Sequence, residues 1–287
     1  MEKKLALLVE GGGMRGAYTA GVLKVFDEYH LRFPYIIGVS AGANLMSDYL
    51  AHQSARNERL YTKWITDKRF IHYSNLWKEG AYFGMDFIFN DLCHTLDPFD
   101  FKTFFSNTTC FKVAVTHCVR GKTFYMLPQQ ARSEDEMLLM LRASSSIPCA
   151  AKPVLIRGQY YLDGATLNGI PLDKSIEDGN THHIFISTRN RGYRKTYSKS
   201  TQILARRMLS RYPELLRQMA HRHIHYNNSL EQLETLEKTG HAFIFAPKRP
   251  LQLDRFEKNP DKLKALFEEG YKEALSQISD LIAFMQP

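Results

Sequence analysis

Residues 38–42 read Gly-Val-Ser-Ala-Gly and constrain the fold more than any other stretch of the chain. An apolar, β-branched run at 35–37 leads into this motif, and a helix-compatible run at 43–46 follows it. The pattern predicts a strand, a tight turn and a helix, with Ser40 at the apex of the turn. The G-x-S-x-G spacing alone arises by chance in roughly one chain in ten of this length. Together with its flanks, it is typical of a nucleophile elbow.

A glycine-rich turn follows the first predicted strand. Residues 4–9 are predicted to form this buried strand, residues 10–16 read Glu-Gly-Gly-Gly-Met-Arg-Gly, and residues 17–26 have apolar side chains at helical spacing. Free backbone N–H groups at a helix N-terminus stabilise negative charge. The G-x-G-x-x-G spacing from Gly11 to Gly16 also matches the dinucleotide fingerprint, but the second predicted strand lacks the acid that this fingerprint requires. An oxyanion-binding loop beside a nucleophile fits the two turns better.

Two later stretches carry side chains capable of chemistry. The apolar strand predicted at 160–162 ends in Asp163, with Gly164 and Ala165 after it. An acid in this position recurs in active sites of open α/β sheets, although on spacing alone an ordinary Asp-Gly turn is the more common explanation. Residues 143–148 read Ala-Ser-Ser-Ser-Ile-Pro, and we interpret these serines as capping and turn residues before a proline.

The remaining pattern alternates short strands with helices. Residues 56–105 contain thirteen aromatic side chains, which either pack a core or form the wall of an apolar acyl pocket. Further strands are predicted at 111–116, 123–127, 154–156, 183–187 and 241–246, and further helices at 201–209, 213–236 and 260–284.

Composition narrows the class of protein. The 287 residues are 44% hydrophobic and 24% charged, which is ordinary for a globular protein. Four cysteines without C-x-x-C spacing indicate neither a zinc site nor a disulfide framework, which favours a reducing compartment. The first apolar run ends at Glu10, too early for a signal peptide, and no apolar run approaches the length of a membrane span. We expect a cytoplasmic protein, and any peripheral association with a membrane is expected at its inner face.

The positive charge is concentrated in one segment. The chain carries a net charge of +8, and Arg189 to His225 alone holds ten basic residues and one acidic residue. A basic amphipathic helix there would suit an anionic membrane surface, and a solvated helix face is an equally ordinary explanation. No nucleic-acid-binding motif is visible, so no nucleic acid partner is expected.

Four motifs occur in an order that resembles the bacterial patatin-like phospholipases: the loop 10–16, the turn 38–42, the serine stretch 143–148 and the Asp-Gly-Ala at 163–165. The resemblance covers residues 4–190, and four motifs in sequence make it highly specific. It implies a three-layer α/β/α fold and the hydrolysis of acyl esters in lipids, including phospholipids and lysophospholipids. It also implies a Ser-Asp dyad without a catalytic histidine, a cofactor or a metal. By this resemblance, Ser40 is the nucleophile, Asp163 is the base, and the oxyanion hole is formed by Gly11, Gly12, Gly13, Met14 and Arg15.

The chemistry leaves two alternatives open. A serine needs a base within about 2.6–3.2 Å, and burial would raise the pKa of Asp163 toward the range a base requires. A Ser-Asp-His triad is also compatible with chain order. The histidines downstream of Asp163 are His182, His183, His221, His223, His225 and His241. The other alternative is a non-catalytic protein that binds lipid or an anionic membrane surface through residues 189–225.

The domain organisation follows from where the motifs end. We predict a patatin-like catalytic core over residues 1–190 and a basic, mostly helical region over 191–287 that packs on the core. The expected partner is a lipid or ester substrate, and the oligomeric state stays open.

Overall fold

The computed structural model describes residues 3–286, which contain eight strands in one mixed sheet. The strands are β1 (Leu5–Val9), β2 (Tyr35–Val39), β3 (Cys110–His117), β4 (Lys122–Met126), β5 (Val154–Ile156), β6 (Gln159–Asp163), β7 (His182–Ile186) and β8 (Ala242–Phe245). Their order is β5-β6-β3-β2-β1-β7-β8, and β4 pairs with β3 beside this path. The pairings among β1, β2, β3, β7 and β8 are parallel, and those that involve β4, β5 and β6 are antiparallel.

Helices cover both faces of this sheet. The helices are α1 (Gly16–Glu28), α2 (Ala41–Leu50), α3 (Ser54–Thr62), α4 (Tyr73–Lys78), α5 (Phe101–Ser106), α6 (Glu134–Ser145), α7 (Leu172–Glu177), α8 (Lys199–Met208), α9 (Pro213–Met219), α10 (Arg222–Lys238), α11 (Pro260–Ser276) and α12 (Ile278–Met285). A π-helix spans Phe87–Leu96. Within residues 3–286, no helix combines the length and the apolar character of a bilayer-crossing span.

Strand β1 shows why the fold has three layers. Leu5, Leu7 and Val9 join a core cluster with residues of α1, α2 and α11. Ala6 and Leu8 point to the opposite face and join a second cluster with residues of α7 and α10. A strand buried on both faces reads as a continuous apolar run, which is the pattern of the sequence here. The predicted three-layer α/β/α fold is confirmed.

The sheet register brings two distant chain segments together at β3. On one side of β3, Val39 of β2 pairs with Ala114. On the other side, Val115 pairs with Asp163 at the end of β6. Ser40 directly follows Val39, so Ser40 and Asp163 flank the same point of β3. Because β6 is antiparallel to β3, this register, and not the carboxyl edge of a parallel sheet, places the aspartate.

The region after residue 190 enters the same layers. Strand β8 extends the sheet by pairing with β7, and the buried hydroxyl of Tyr18 in α1 donates to Glu273 of α11 at 2.8 Å. The helix predicted over 213–236 is interrupted after Met219, and that predicted over 260–284 breaks at Gln277, where φ is −113° and the backbone leaves the helical region. The division at residue 190 stays a prediction.

Candidate active site

Ser40 occupies a strained turn between β2 and α2. Its backbone has φ 55° and ψ −128°, a sparsely populated region that costs a non-glycine residue about 1–3 kcal/mol. The Ser40 amide donates to Ser144 Oγ at 2.9 Å, and the Ser40 carbonyl accepts from the amide of Ala43. A Cβ at Gly38 would lie 2.6 Å from the Cα of Ala43, so this tight turn requires glycine there. The predicted strand–turn–helix around Ser40 is confirmed.

The Ser40 hydroxyl contacts the carboxylate of Asp163. Ser40 Oγ donates to Asp163 Oδ2 at 2.6 Å, and the amide of Ala165 donates to Asp163 Oδ1 at 2.7 Å. Only 5% of Ser40 and 3% of Asp163 is exposed. Burial raises the pKa of Asp163 to about 6, against the opposing effect of these two hydrogen bonds. The carboxylate is therefore more basic than an ordinary aspartate and touches the hydroxyl.

The serines of the 143–148 stretch hold both members of this pair. Ser144 Oγ accepts from the Ser40 amide and donates to the carbonyl of Ala114 at 2.7 Å. The Ser146 carbonyl accepts from the amide of Asp163 at 2.9 Å. The interpretation of these residues as capping and turn residues missed this positioning role. The sequence contains one signal for this positioning role, since the serine stretch is among the four motifs that carry the family resemblance.

The glycine loop after β1 lies directly beside Ser40. A Cβ at Gly11 would lie 2.6 Å from the Cβ of Ser40, so only glycine permits this approach. The amides of Gly11, Gly12 and Gly13 have no hydrogen-bond acceptor among the described residues. Backbone donors without an acceptor near a serine hydroxyl are the components from which an oxyanion hole is built.

Met14 and Arg15 differ from the three glycines. The Met14 amide donates to the carbonyl of Arg255 at 3.1 Å, and the Arg15 amide donates to the carbonyl of Gly12 at 3.3 Å. Neither amide is free in this arrangement, although the sequence groups both residues with the oxyanion loop. The side chain of Arg15 lines a cavity next to the serine instead.

Glu10, the first residue of the glycine loop, is held by hydrogen bonds to other parts of the chain. Its buried carboxylate accepts hydrogen bonds from the Ser187 hydroxyl at 2.8 Å, the Thr188 amide at 2.7 Å and the Tyr226 hydroxyl at 2.7 Å. Tyr226 belongs to α10, so the region after residue 190 supports the loop. Nothing in the local sequence around Tyr226 indicates this contact.

Two cavities of opposite character meet at Ser40, and Gly13 and Ile147 also line both. The first has a volume of about 100 Å³ and a mainly apolar wall. Its aromatic lining residues are Tyr61, Phe70, Phe83, Phe89 and Phe99. The second has a volume of about 450 Å³ and a wall rich in cationic side chains. The aromatic segment therefore supplies both a cavity wall and core side chains such as Phe104, and its role as an acyl pocket stays a prediction.

Histidine does not complete a triad in this arrangement. Among residues 3–286, no histidine ring hydrogen-bonds to Ser40 or Asp163. His223 lines the larger cavity and packs its ring 5.7 Å from that of Tyr197. His183 lies in β7, where its buried ring is 3.2 Å from the hydroxyl of Ser175 in α7.

An α/β/α protein with a serine–aspartate pair beside a glycine loop is the class that this fold and site define. A family model described as patatin-like phospholipase matches residues 7–175. The chain belongs to the patatin-like phospholipase family, and the resemblance of its four motifs is confirmed. A second family model, a domain of unknown function (DUF6363), matches residues 212–286.

The individual proteins that this chain resembles have low sequence identity to it. The uncharacterized protein YjjU of Escherichia coli (strain K12) is 27% identical over 190 residues, which are 64% of this chain and 52% of YjjU. The probable lipid hydrolase 463L of Invertebrate iridescent virus 6 is 24% identical over 184 residues, which are 60% of this chain and 63% of that protein. The match therefore spans less than two thirds of either curated relative. The crystal structure of VipD from Legionella pneumophila has a TM-score of 0.49 at 11% identity, covering 97% of this chain and 67% of VipD.

Proposed function

We propose that this chain is a lipid acyl hydrolase of the phospholipase A, lysophospholipase or esterase type. The observation that carries the proposal is the 2.6 Å contact between Ser40 Oγ and Asp163 Oδ2 in a buried site beside three unpaired amides. Family membership and the printed name of the viral relative support a lipid ester as the substrate.

The proposed reaction has two halves. Asp163 accepts the hydroxyl proton while Ser40 Oγ attacks the ester carbonyl carbon, and the amides of Gly11, Gly12 and Gly13 stabilise the resulting oxyanion. Collapse of this intermediate breaks the bond to the alcohol, which leaves with the proton from Asp163. Water then attacks the carbonyl carbon of the acyl-Ser40 ester while Asp163 takes a proton from this water. Asp163 returns the proton to Ser40 Oγ as the bond to the acyl group breaks, and the fatty acid leaves.

The two cavities supply the orientation. The first methylene groups of the acyl chain would enter the apolar cavity of about 100 Å³, since their burial is favourable there. The alcohol portion then extends into the larger cavity, because Ser40 lies where the two cavities meet.

The test compares active-site variants with a matched serine variant. Hydrolysis of p-nitrophenyl octanoate and labelling by a fluorophosphonate probe should both be lost in Ser40→Ala. Hydrolysis should also be lost in Asp163→Asn, because an amide cannot act as the base. The exposed Ser106→Ala serves as the control and should retain both activities.

Single His→Gln variants address the triad. Each should retain most of the hydrolysis, and near-complete loss at one histidine would favour the triad instead of the dyad. An unlabelled parent protein that behaves like Ser40→Ala would exclude the hydrolase proposal altogether.

Peripheral binding to an anionic membrane is the second candidate. Helix α8 exposes 70% of Ile203, 47% of Leu204 and 53% of Met208 next to the exposed Arg206 and Arg207. Apolar side chains beside cations suit an anionic lipid surface. Sedimentation with phosphatidylglycerol vesicles should capture the Ser40→Ala protein and release it when Ile203 is changed to Gln, and equal capture of both variants would contradict this role.

A further inference from the structure

The larger cavity holds a group of cationic side chains that lack carboxylate partners. No described acidic side chain forms an ion pair with any of them within 4.0 Å. The five residues are Arg15, Arg189, Lys195, Arg222 and Arg255.

Their neighbours in sequence are paired in the ordinary way. Arg194 contacts Glu234 at 2.7 Å, and Arg191 forms an ion pair with Glu237. Acidic side chains are therefore close at hand for the same segment, but they lie outside the cavity. Within this segment, Arg191 and Arg194 are neutralised by carboxylates of the protein, whereas the cations that line the cavity next to Ser40 are not.

Burial makes the unpaired charges costly. Only 7% of Arg15 is exposed, and its Nε has no hydrogen-bond partner among the described residues. Burial, together with the charge of Arg189, lowers the pKa of Arg15 to about 10. Burial and the charge of Arg222 lower the pKa of Lys195 to about 7. Desolvated like charges at close range destabilise one another until an anion enters among them.

The carboxylates that do line this cavity are already engaged. Glu10 accepts from Ser187, Thr188 and Tyr226, and Asp163 accepts from Ser40 and Ala165. Among the described residues of the cavity wall, no carboxylate is therefore left without a partner to bind a quaternary or primary ammonium on a ligand.

Two of the aromatic rings that line the cavity are already covered by protein cations. Arg189 lies 4.4 Å from the ring centroid of Tyr193, and Lys195 lies 3.9 Å from that of Tyr226. At these two rings a ligand ammonium would meet the positive charges of the side chains and not a ring face. The other two rings of the lining, Tyr197 and Phe256, pack against neighbouring aromatic side chains.

We propose that this cavity binds the phosphate of an acylglycerol phosphate whose headgroup carries no ammonium, so that the chain selects anionic over zwitterionic phosphoglycerides. The inference rests on the proposed hydrolase function only for the orientation of the ester. Guanidinium groups match phosphate geometrically, and the volume of about 450 Å³ lies in the usual range of ligand pockets. Arg222 and Arg255 fall in the region that matches the domain of unknown function, which gives that region a part in substrate selection.

The test measures binding separately from turnover. Three ligands with the same acyl chain are titrated calorimetrically into Ser40→Ala protein. They are 1-octanoylglycerol 3-phosphate, 1-octanoylglycero-3-phosphocholine and 1-octanoylglycerol. The phosphate should bind at least about tenfold more tightly than the other two. Arg255→Gln and Lys195→Gln, made in the same background, should reduce this preference at least about fivefold. Arg211→Gln, an exposed cation of the same segment outside the cavity, should leave the preference unchanged.

Each outcome bears on a different statement. Equal affinity for the three ligands, or an equal loss for all three in the variants, overturns the headgroup assignment. Inorganic phosphate that binds as tightly as the acylated ligand shows a free-phosphate site and overturns the lipid assignment. A retained headgroup preference together with no hydrolysis by the parent protein upholds the inference and refutes the proposed hydrolase function.

Discussion

The carboxyl group of Asp163 is expected to make the folded protein less stable at neutral pH than an amide would. Burial raises its pKa from 3.8 to about 6, a shift that corresponds to about 3 kcal/mol. The folded state binds the proton of the Asp163 carboxyl group more tightly than the unfolded chain does. The protonated carboxyl group therefore contributes its full stabilisation of the folded state below about pH 4. This stabilisation is lost as the pH rises to about 6, and above that pH the folded protein carries an ionised, buried carboxylate.

Asp163→Asn removes the charge and keeps the shape. The amide oxygen can accept from Ala165, and the amide nitrogen can donate to Ser40 Oγ, so both contacts survive with the second one reversed. At pH 8 the free energy of unfolding should exceed that of the parent by up to about 3 kcal/mol. At pH 4 the difference should fall below about 1 kcal/mol, because the parent is then protonated. The more stable variant is expected to be inactive.

Urea denaturation at pH 4 and pH 8, followed by circular dichroism, measures this difference. Asp280→Asn, at an exposed position of α12, is the matched control and should show little change at either pH. A variant at position 163 that is less stable than the parent at pH 8 would refute the reasoning. An equal gain at both pH values would show that a cause other than ionisation stabilises it.

Three further predictions concern the same site. For a neutral ester, kcat/KM should rise about tenfold per pH unit below about pH 6 and level off above it, because Asp163 must be unprotonated; a flat profile from pH 4 to 8 would contradict this role. Gly11→Ala, whose new Cβ would lie 2.6 Å from that of Ser40, should lower kcat about 100-fold and slow fluorophosphonate labelling in parallel. Ser144→Ala removes the acceptor of the Ser40 amide and the hydroxyl that donates to the Ala114 carbonyl, and should lower the free energy of unfolding by about 1–3 kcal/mol; an unchanged urea midpoint would show that another group replaces the hydroxyl.

The turn around Ser40 could be predicted because its determinants are local. Glycine is required at position 38, where a Cβ would lie 2.6 Å from the Cα of Ala43, and the strand and the helix are each recognisable from a few residues. The glycine loop after β1 was predictable for the same reason. Both features depend on residues adjacent in sequence, so a pattern in one short window is enough.

The partner of Ser40 required information from far along the chain. Asp163 lies 123 positions away, and the prediction rested on a general preference of strand ends and on the family resemblance. In the structure, Asp163 is placed beside Ser40 by the antiparallel strand β6. The register between β6 and β3 cannot be read from the residues around Asp163. The engaged amide of Met14 is a second example, because its acceptor, Arg255, lies in a loop with no motif of its own.

The cationic cavity, which we propose selects the headgroup, is also built by long-range contacts. The serine, the aspartate and the glycine loop all fall within the 7–175 match to the family, whereas Arg189 and Lys195 follow it and Arg222 and Arg255 lie in the second match. The serine–aspartate pair and four of the five cavity cations thus lie in different parts of the chain, while Arg15 belongs to the glycine loop. The Tyr226 hydroxyl on Glu10 and the Arg255 carbonyl on Met14 join the two parts at this loop. Family members with the same dyad and a different C-terminal region should therefore share the ester chemistry and differ in the headgroup that they accept.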